Sequence, residues 1–151
     1  MLTHVHRAFL TGALLTMACG GSPSAPTTPR PTAAIAATAT PQTWTIGPCT
    51  GCGDLVGELE TGGVVVVTES AGVGLIIGAL EVSALNASGA VTNNSPRPSL
   101  GTRLAGNGRV ELDVGYHFPP SAQAAAARIV VHGRDDNGHD VSATLTVALR
   151  Q

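Results

Sequence analysis

Residues 129–147 read IVVHGRDDNGHDVSATLTV, and the way this stretch must fold back on itself decides the fold. Val141, Ala143, Leu145 and Val147 are spaced by Ser142, Thr144 and Thr146, the period-two pattern of a strand with one buried face. A two-residue turn at Asn137-Gly138 would set Arg134 against Val141 and His132 against Ala143, driving polar groups into the buried face. A three-residue loop, Asp136-Asn137-Gly138, instead pairs Val131 with Ala143 and Ile129 with Leu145, and sets Arg134 opposite Asp140 on the wet face. Gly138 then supplies the left-handed position that such a loop needs. The predicted register is therefore that of the three-residue loop, with Arg134 and Asp140 an exposed pair of little energetic weight.

Upstream, Val110, Leu112, Val114, Tyr116 and Phe118 alternate with Arg109, Glu111, Asp113, Gly115 and His117 in the same way. Further strands are expected over residues 55–60, 64–68, 75–85 and 126–135, with short pieces near Trp44 and Thr102, and residues 122–127 have the composition for a helical turn. About seven strands separated by Gly- and Asn-containing turns point to an all-β, antiparallel sandwich over residues 44–151, long enough for one domain.

The N-terminus has a different composition. One arginine, Arg7, precedes an apolar run over residues 8–18 that is too short to span a bilayer and has the length of a signal-peptide core. The junction Leu14-Leu15-Thr16-Met17-Ala18-Cys19-Gly20 resembles the lipobox of bacterial lipoproteins, with Thr16 standing where leucine is usual. That resemblance implies a signal peptide over 1–18, lipidation of Cys19, and a membrane-anchored protein of the bacterial envelope at the outer membrane or cell surface. Thr16-Met17-Ala18 also fits an ordinary secretory cleavage site. Residues 19–43 are rich in Pro, Thr, Ala and Ser with a single charge, Arg30, and read as a disordered stalk; extended by its prolines it would reach about 75 Å. All eight basic residues are arginine, and past the signal seven of them face ten carboxylates, a mildly acidic balance without the basic block that nucleic acid requires.

The hairpin 129–147 also looks like the closing strand pair of bacterial immunoglobulin-like and fibronectin type III-like domains, although the inter-sheet cysteine pair of antibody domains is absent. The resemblance implies that the 69–74 loop, the Gly106-Asn107-Gly108 turn and the 135–140 loop cluster at one end, making Glu69, Asn107, Asp135, Asp136, Asn137, His139 and Asp140 the candidate binding residues.

Chemistry-bearing residues are few. The chain has three cysteines, so lipidating Cys19 leaves the pair Cys49 and Cys52. Cys49-Thr50-Gly51-Cys52 has redox-motif spacing but sits in a Pro- and Gly-flanked loop, where a local disulfide stapling the turn is the expected state. Zinc at this pair would need two more ligands, and no further cysteines are present to supply them. The oxygen-rich 135–140 loop is a weak cation candidate, through Asp135, Asp136, His139 and Asp140, for calcium or, by likeness to the histidine-bearing tail of copper-resistance β-sandwich proteins, for copper. His117 lies at the far end of its strand from His132 and His139, so no histidine trio is expected to converge. Glu58 and Glu60 share a strand face as a wet pair of acids, and no serine is coupled by spacing to a histidine and an acid. With so few aromatic residues, carbohydrate is a disfavoured ligand. The expectation is a non-enzymatic, cofactor-free lipoprotein presenting an immunoglobulin-like domain for protein interaction or envelope structure, with the metal module as the alternative.

Overall fold

The computed structural model describes residues 28–51, 57–96 and 99–151. Among them the strands are β1 (Ile35–Thr40), β2 (Thr43–Thr45), β3 (Gly47–Pro48), β4 (Leu59–Glu69), β5 (Leu75–Leu85), β6 (Val91–Pro96), β7 (Thr102–Leu104), β8 (Arg109–Phe118), β9 (Ala126–Asp135) and β10 (Asp140–Arg150). A single 3-10 turn, Pro120–Ala122, stands where a helical turn is expected slightly later. The protein is all-β, and its strands make two sheets. In the first, β8 runs along one edge of β4 while β1 and β3 lie end to end along the other. The second has the order β2-β10-β9-β5, with β6 and β7 end to end on the outer edge of β5. Among the described residues every pairing is antiparallel except β2 with β10.

The closing hairpin has the expected register: Val131 opposes Ala143, Ile129 opposes Leu145, and Arg134 opposes Asp140. Gly138 has φ 89°, the left-handed position anticipated for it. Arg134 differs from expectation in its partner, because its Nε donates to the Gly138 carbonyl at 3.1 Å and so folds the side chain over its own turn.

Two boundaries are corrected. Residues 35–40, which composition places in the stalk, form β1, paired from Ile35↔Glu69 to Thr40↔Val64. Ile35, Ala37 and Ala39 point toward the core and alternate with exposed Ala36, Thr38 and Thr40. The period is that of a strand, but alanine is a poor strand former, which hides it in a Pro/Thr/Ala composition. The folded domain thus begins near Ala33 and not at Trp44. The second correction joins the two strands expected at 55–60 and 64–68, of which residues 55–56 lie outside the described residues, into one β4 that runs through Gly62-Gly63.

Those glycines are there because two other parts of the molecule come too close for a side chain. A Cβ on Gly62 would lie 2.4 Å from the Val114 carbonyl, and one on Gly63 would lie 2.4 Å from Nε1 of Trp44. Trp44 is wholly buried, so the chain's one tryptophan is a core residue and not a platform for sugar. Around it, Val65, Val67, Leu112, Val114 and Phe118 from the first sheet meet Leu75, Ile77, Leu80, Val82, Ile129 and Val131 from the second. Tyr116 crosses between them. Its hydroxyl accepts the Ala84 amide at 3.2 Å, and burial pushes its pKa up.

Candidate functional site

The β4–β5, β7–β8 and β9–β10 loops meet at one end of the two sheets, as expected of the three candidate loops, and two buried acids hold them there. Glu69, at the end of β4, is only 3 % exposed. Its Oε1 accepts the amides of Ala71 at 2.7 Å and Ala34 at 3.1 Å, and its Oε2 those of Asn107 at 2.8 Å and Gly72 at 2.9 Å. One carboxylate therefore ties the N-terminal segment to two loops. Burial alone would raise its pKa, but the Asn107, Ala71, Ala34 and Gly72 amides outweigh burial and hold it at about 2.

Asp135 repeats the device at the end of β9. Its Oδ1 accepts the amides of His139 at 2.8 Å and Asn137 at 2.9 Å, and its Oδ2 takes the Ala33 amide at 3.1 Å with His139 Nδ1 also 3.1 Å away. Burial again pushes upward, and the His139 and Ala33 amides together with the His139 ring bring the carboxyl down to about 2. Gly106 completes the join, since a Cβ there would lie 2.4 Å from the Gly72 carbonyl oxygen.

This geometry changes the reading of the candidate residues. Glu69 and Asp135 face inward and bracket loops, so neither is presented to a ligand. Asn107, in a left-handed conformation with φ 56°, gives its amide to Glu69. Asn137 reaches back with Nδ2 to the Pro31 carbonyl at 2.7 Å, and Asp136 holds Arg103 in a two-pronged ion pair with one arm of 2.7 Å. Asp140 is exposed at the start of β10. A cation at residues 135–140 would have to displace Ala33, Asn137 and His139 from Asp135 and Arg103 from Asp136. Removing the exposed Arg103–Asp136 pair by Arg103→Ala should leave the melting temperature nearly unchanged, a contrast with Glu69 that differential scanning calorimetry would read directly.

The far end holds a group that sequence reasoning leaves apart. Register places Glu60 of β4 directly opposite His117 of β8, while Gly47 of β3 pairs with Glu60 on the other side and the Cys49 amide donates to the Glu58 carbonyl at 2.9 Å. One ligand atom each from Cys49, Glu60 and His117 lies within 4.8 Å of the other two. Glu60 and His117 line a shallow cleft of about 420 Å³ together with Thr45, Gly47, Thr61, Gly62 and Gly115. The facing glycines Gly62 and Gly115 form its floor, since neither raises a side chain into it. Cys49 is disulfide-bonded, and Cys52 lies outside the described residues. The signal that could have found this group is the β4–β8 register. Reading β4 as two strands broken at Gly62-Gly63 removes the pairing that carries Glu60 to His117.

No family model matches the chain, and no curated protein does. Among solved structures it is similar to a structural genomics target named SoR45, with a TM-score of 0.51 and 7 % identity over 77 % of this chain and 86 % of that one. A protein named ApaA from Bordetella pertussis gives a TM-score of 0.46 and 12 % identity over 80 % of this chain and 94 % of that one. At 7 % identity the first likeness extends to the fold and no further.

Proposed function

We propose that this chain is an exported, lipid-anchored protein of the bacterial envelope whose immunoglobulin-like domain serves protein interaction or envelope structure and carries out no catalysis. The observation that carries the reading is the way the N-terminal segment enters the fold. Ala33 and Ala34 are clamped by Asp135 and Glu69 at the loop end, so a tether to Cys19 leaves from that end. From Gly20 to Arg30 such a tether spans at most about 40 Å, which holds the loop end near a bilayer and turns the opposite end toward the surrounding compartment. The immunoglobulin-like assignment is supported by strand order. The first strand divides between sheets, β1 pairing with β4 and β2 running parallel to β10, and the β4–β8 and β5–β9–β10 pairings match the B–E and C–F–G pairings of that fold. Cys49 and Cys52 form the local disulfide in this reading.

The intact mass of the full chain, extracted from membranes with detergent and measured before and after reduction, tests the proposal. The expected protein starts at an acylated Cys19 and gains two hydrogens on reduction, and Cys19→Ala moves it out of the membrane fraction. An unacylated chain beginning after Ala18 overturns the anchor, and hydrolase or redox turnover by the purified protein overturns the non-catalytic assignment.

A further inference from the structure

Cysteine spacing alone leaves zinc short of ligands, and further ones come to Cys49 from elsewhere in the fold. Glu60 and His117 are cross-strand neighbours on the outer face of the first sheet, and the turn after β3 brings Cys49 to the same point. A sulfur, an imidazole nitrogen and a carboxylate oxygen are the donor types that zinc takes, whereas calcium and magnesium take oxygen alone. Tetrahedral coordination would set these atoms about 3.5 Å apart, so the observed spread, within 4.8 Å, closes by rotation of side chains without moving a strand. The three come from three separate elements, two of them adjacent strands with fixed register. The cleft leaves the fourth position open to water or a small ligand.

What excludes metal in the oxidised protein is the sulfur itself, because a disulfide offers no thiolate. We propose that reduction of the Cys49 disulfide opens a zinc site at this cleft, with Cys49, Glu60 and His117 as its protein ligands. A dithiol donor supplies the two electrons: the S–S bond breaks, each sulfur takes up a proton, and the donor leaves as its own disulfide. When zinc binds, the Cys49 thiol releases its proton to solvent and the thiolate closes on the metal. The cleft is then a redox-gated site, closed to metal under oxidising conditions and open under reducing ones. It does not depend on the lipid anchor.

The test titrates zinc into the full chain in detergent, oxidised and after treatment with a phosphine that leaves as its oxide, using competition with a chromophoric chelator. Substituted cobalt reports the thiolate through its charge-transfer absorption. The reduced protein is expected to bind zinc at least about 100-fold more tightly than the oxidised one, and Cys52→Ser, which removes the partner proposed above, to bind without any reductant. In the reduced protein, His117→Gln and Glu60→Gln should each weaken binding by about tenfold or more, with far-UV circular dichroism showing the fold intact in the absence of metal. Equal affinity in the two redox states overturns the proposal. So does a reduced protein whose affinity survives both His117→Gln and Glu60→Gln, since the metal would then sit on cysteine alone.

Discussion

Trp44→Ala should cost about 3–5 kcal/mol of stability and lower the melting temperature by roughly 15–20 °C, the largest loss expected from any single truncation in the domain. The side chain is fully buried, yet it belongs to β2, a strand of three residues whose ladder is confined to the end of β10, with one further bond from the Thr61 hydroxyl to the Thr45 carbonyl at 3.0 Å. The indole is therefore the main apolar anchor of this segment. It rests on Gly63, whose missing side chain makes the space it fills. Collapse into the vacated volume is limited because β4 is pinned on both edges, so the cavity term persists. Nε1 has no hydrogen-bond partner among the described residues, so Trp44→Phe gives up area but no hydrogen bond and should lose much less than Trp44→Ala. The converse change, Gly63→Ala, pushes a methyl group into a rigid ring and should cost about 1–3 kcal/mol. Urea or thermal unfolding of the three variants orders them; a Trp44→Ala protein as stable as wild type would mean that the indole is not what secures β2.

Glu69→Gln should lower the melting temperature at pH 7 by on the order of 10 °C and, more tellingly, remove part of the acid sensitivity of the domain. Four amides converge on the Glu69 carboxylate, and glutamine answers them with one carbonyl oxygen and an NH₂ that faces donors. The linkage sign is set by a folded pKa of about 2 against an ordinary 4.5. The contribution is complete above 4.5 and is lost as the pH falls through about 2. Asp135 behaves alike, from an ordinary 3.8 down to about 2. The wild-type melting temperature should therefore fall steeply between about pH 4.5 and 2, and Glu69→Gln should converge on wild type at the acid end. Combining Glu69→Gln with Asp135→Asn should flatten the profile further. Calorimetric scans across that range check it, and a constant gap between variant and wild type would deny the carboxylate its role.

The strands legible in the sequence are those whose inward residues are large. β5 and β9 are expected at their observed bounds, and the β9–β10 register follows from keeping His132 and Arg134 out of the core. β1, built on one isoleucine and two alanines, has the same alternation with too little hydrophobic contrast to separate it from a stalk. β3 and β6 escape notice for a related reason: one is two residues long and the other, VTNNSP, reads as a turn. The loop end is legible as a cluster, but its chemistry is not. An acid beside a run of small residues looks like a ligand-binding loop until the amides that consume its oxygens are in place, and those amides belong to Ala33, Ala34 and Asn107, distant in sequence. The Cys49, Glu60 and His117 group shares that property, since its members meet only through the pairing of β4 with β3 and β8.

The first strand also determines how the domain would answer a pull. Tension arriving along the N-terminal segment meets Ala33 and Ala34 at the clamp and then runs down β1, whose six residues pair with β4 through bonds lying across the direction of load. Those bonds are strained together, in shear, and do not open in sequence as the teeth of a zipper do. A domain pulled through its N-terminal segment and held at the far end would thus resist with the whole β1–β4 ladder at once.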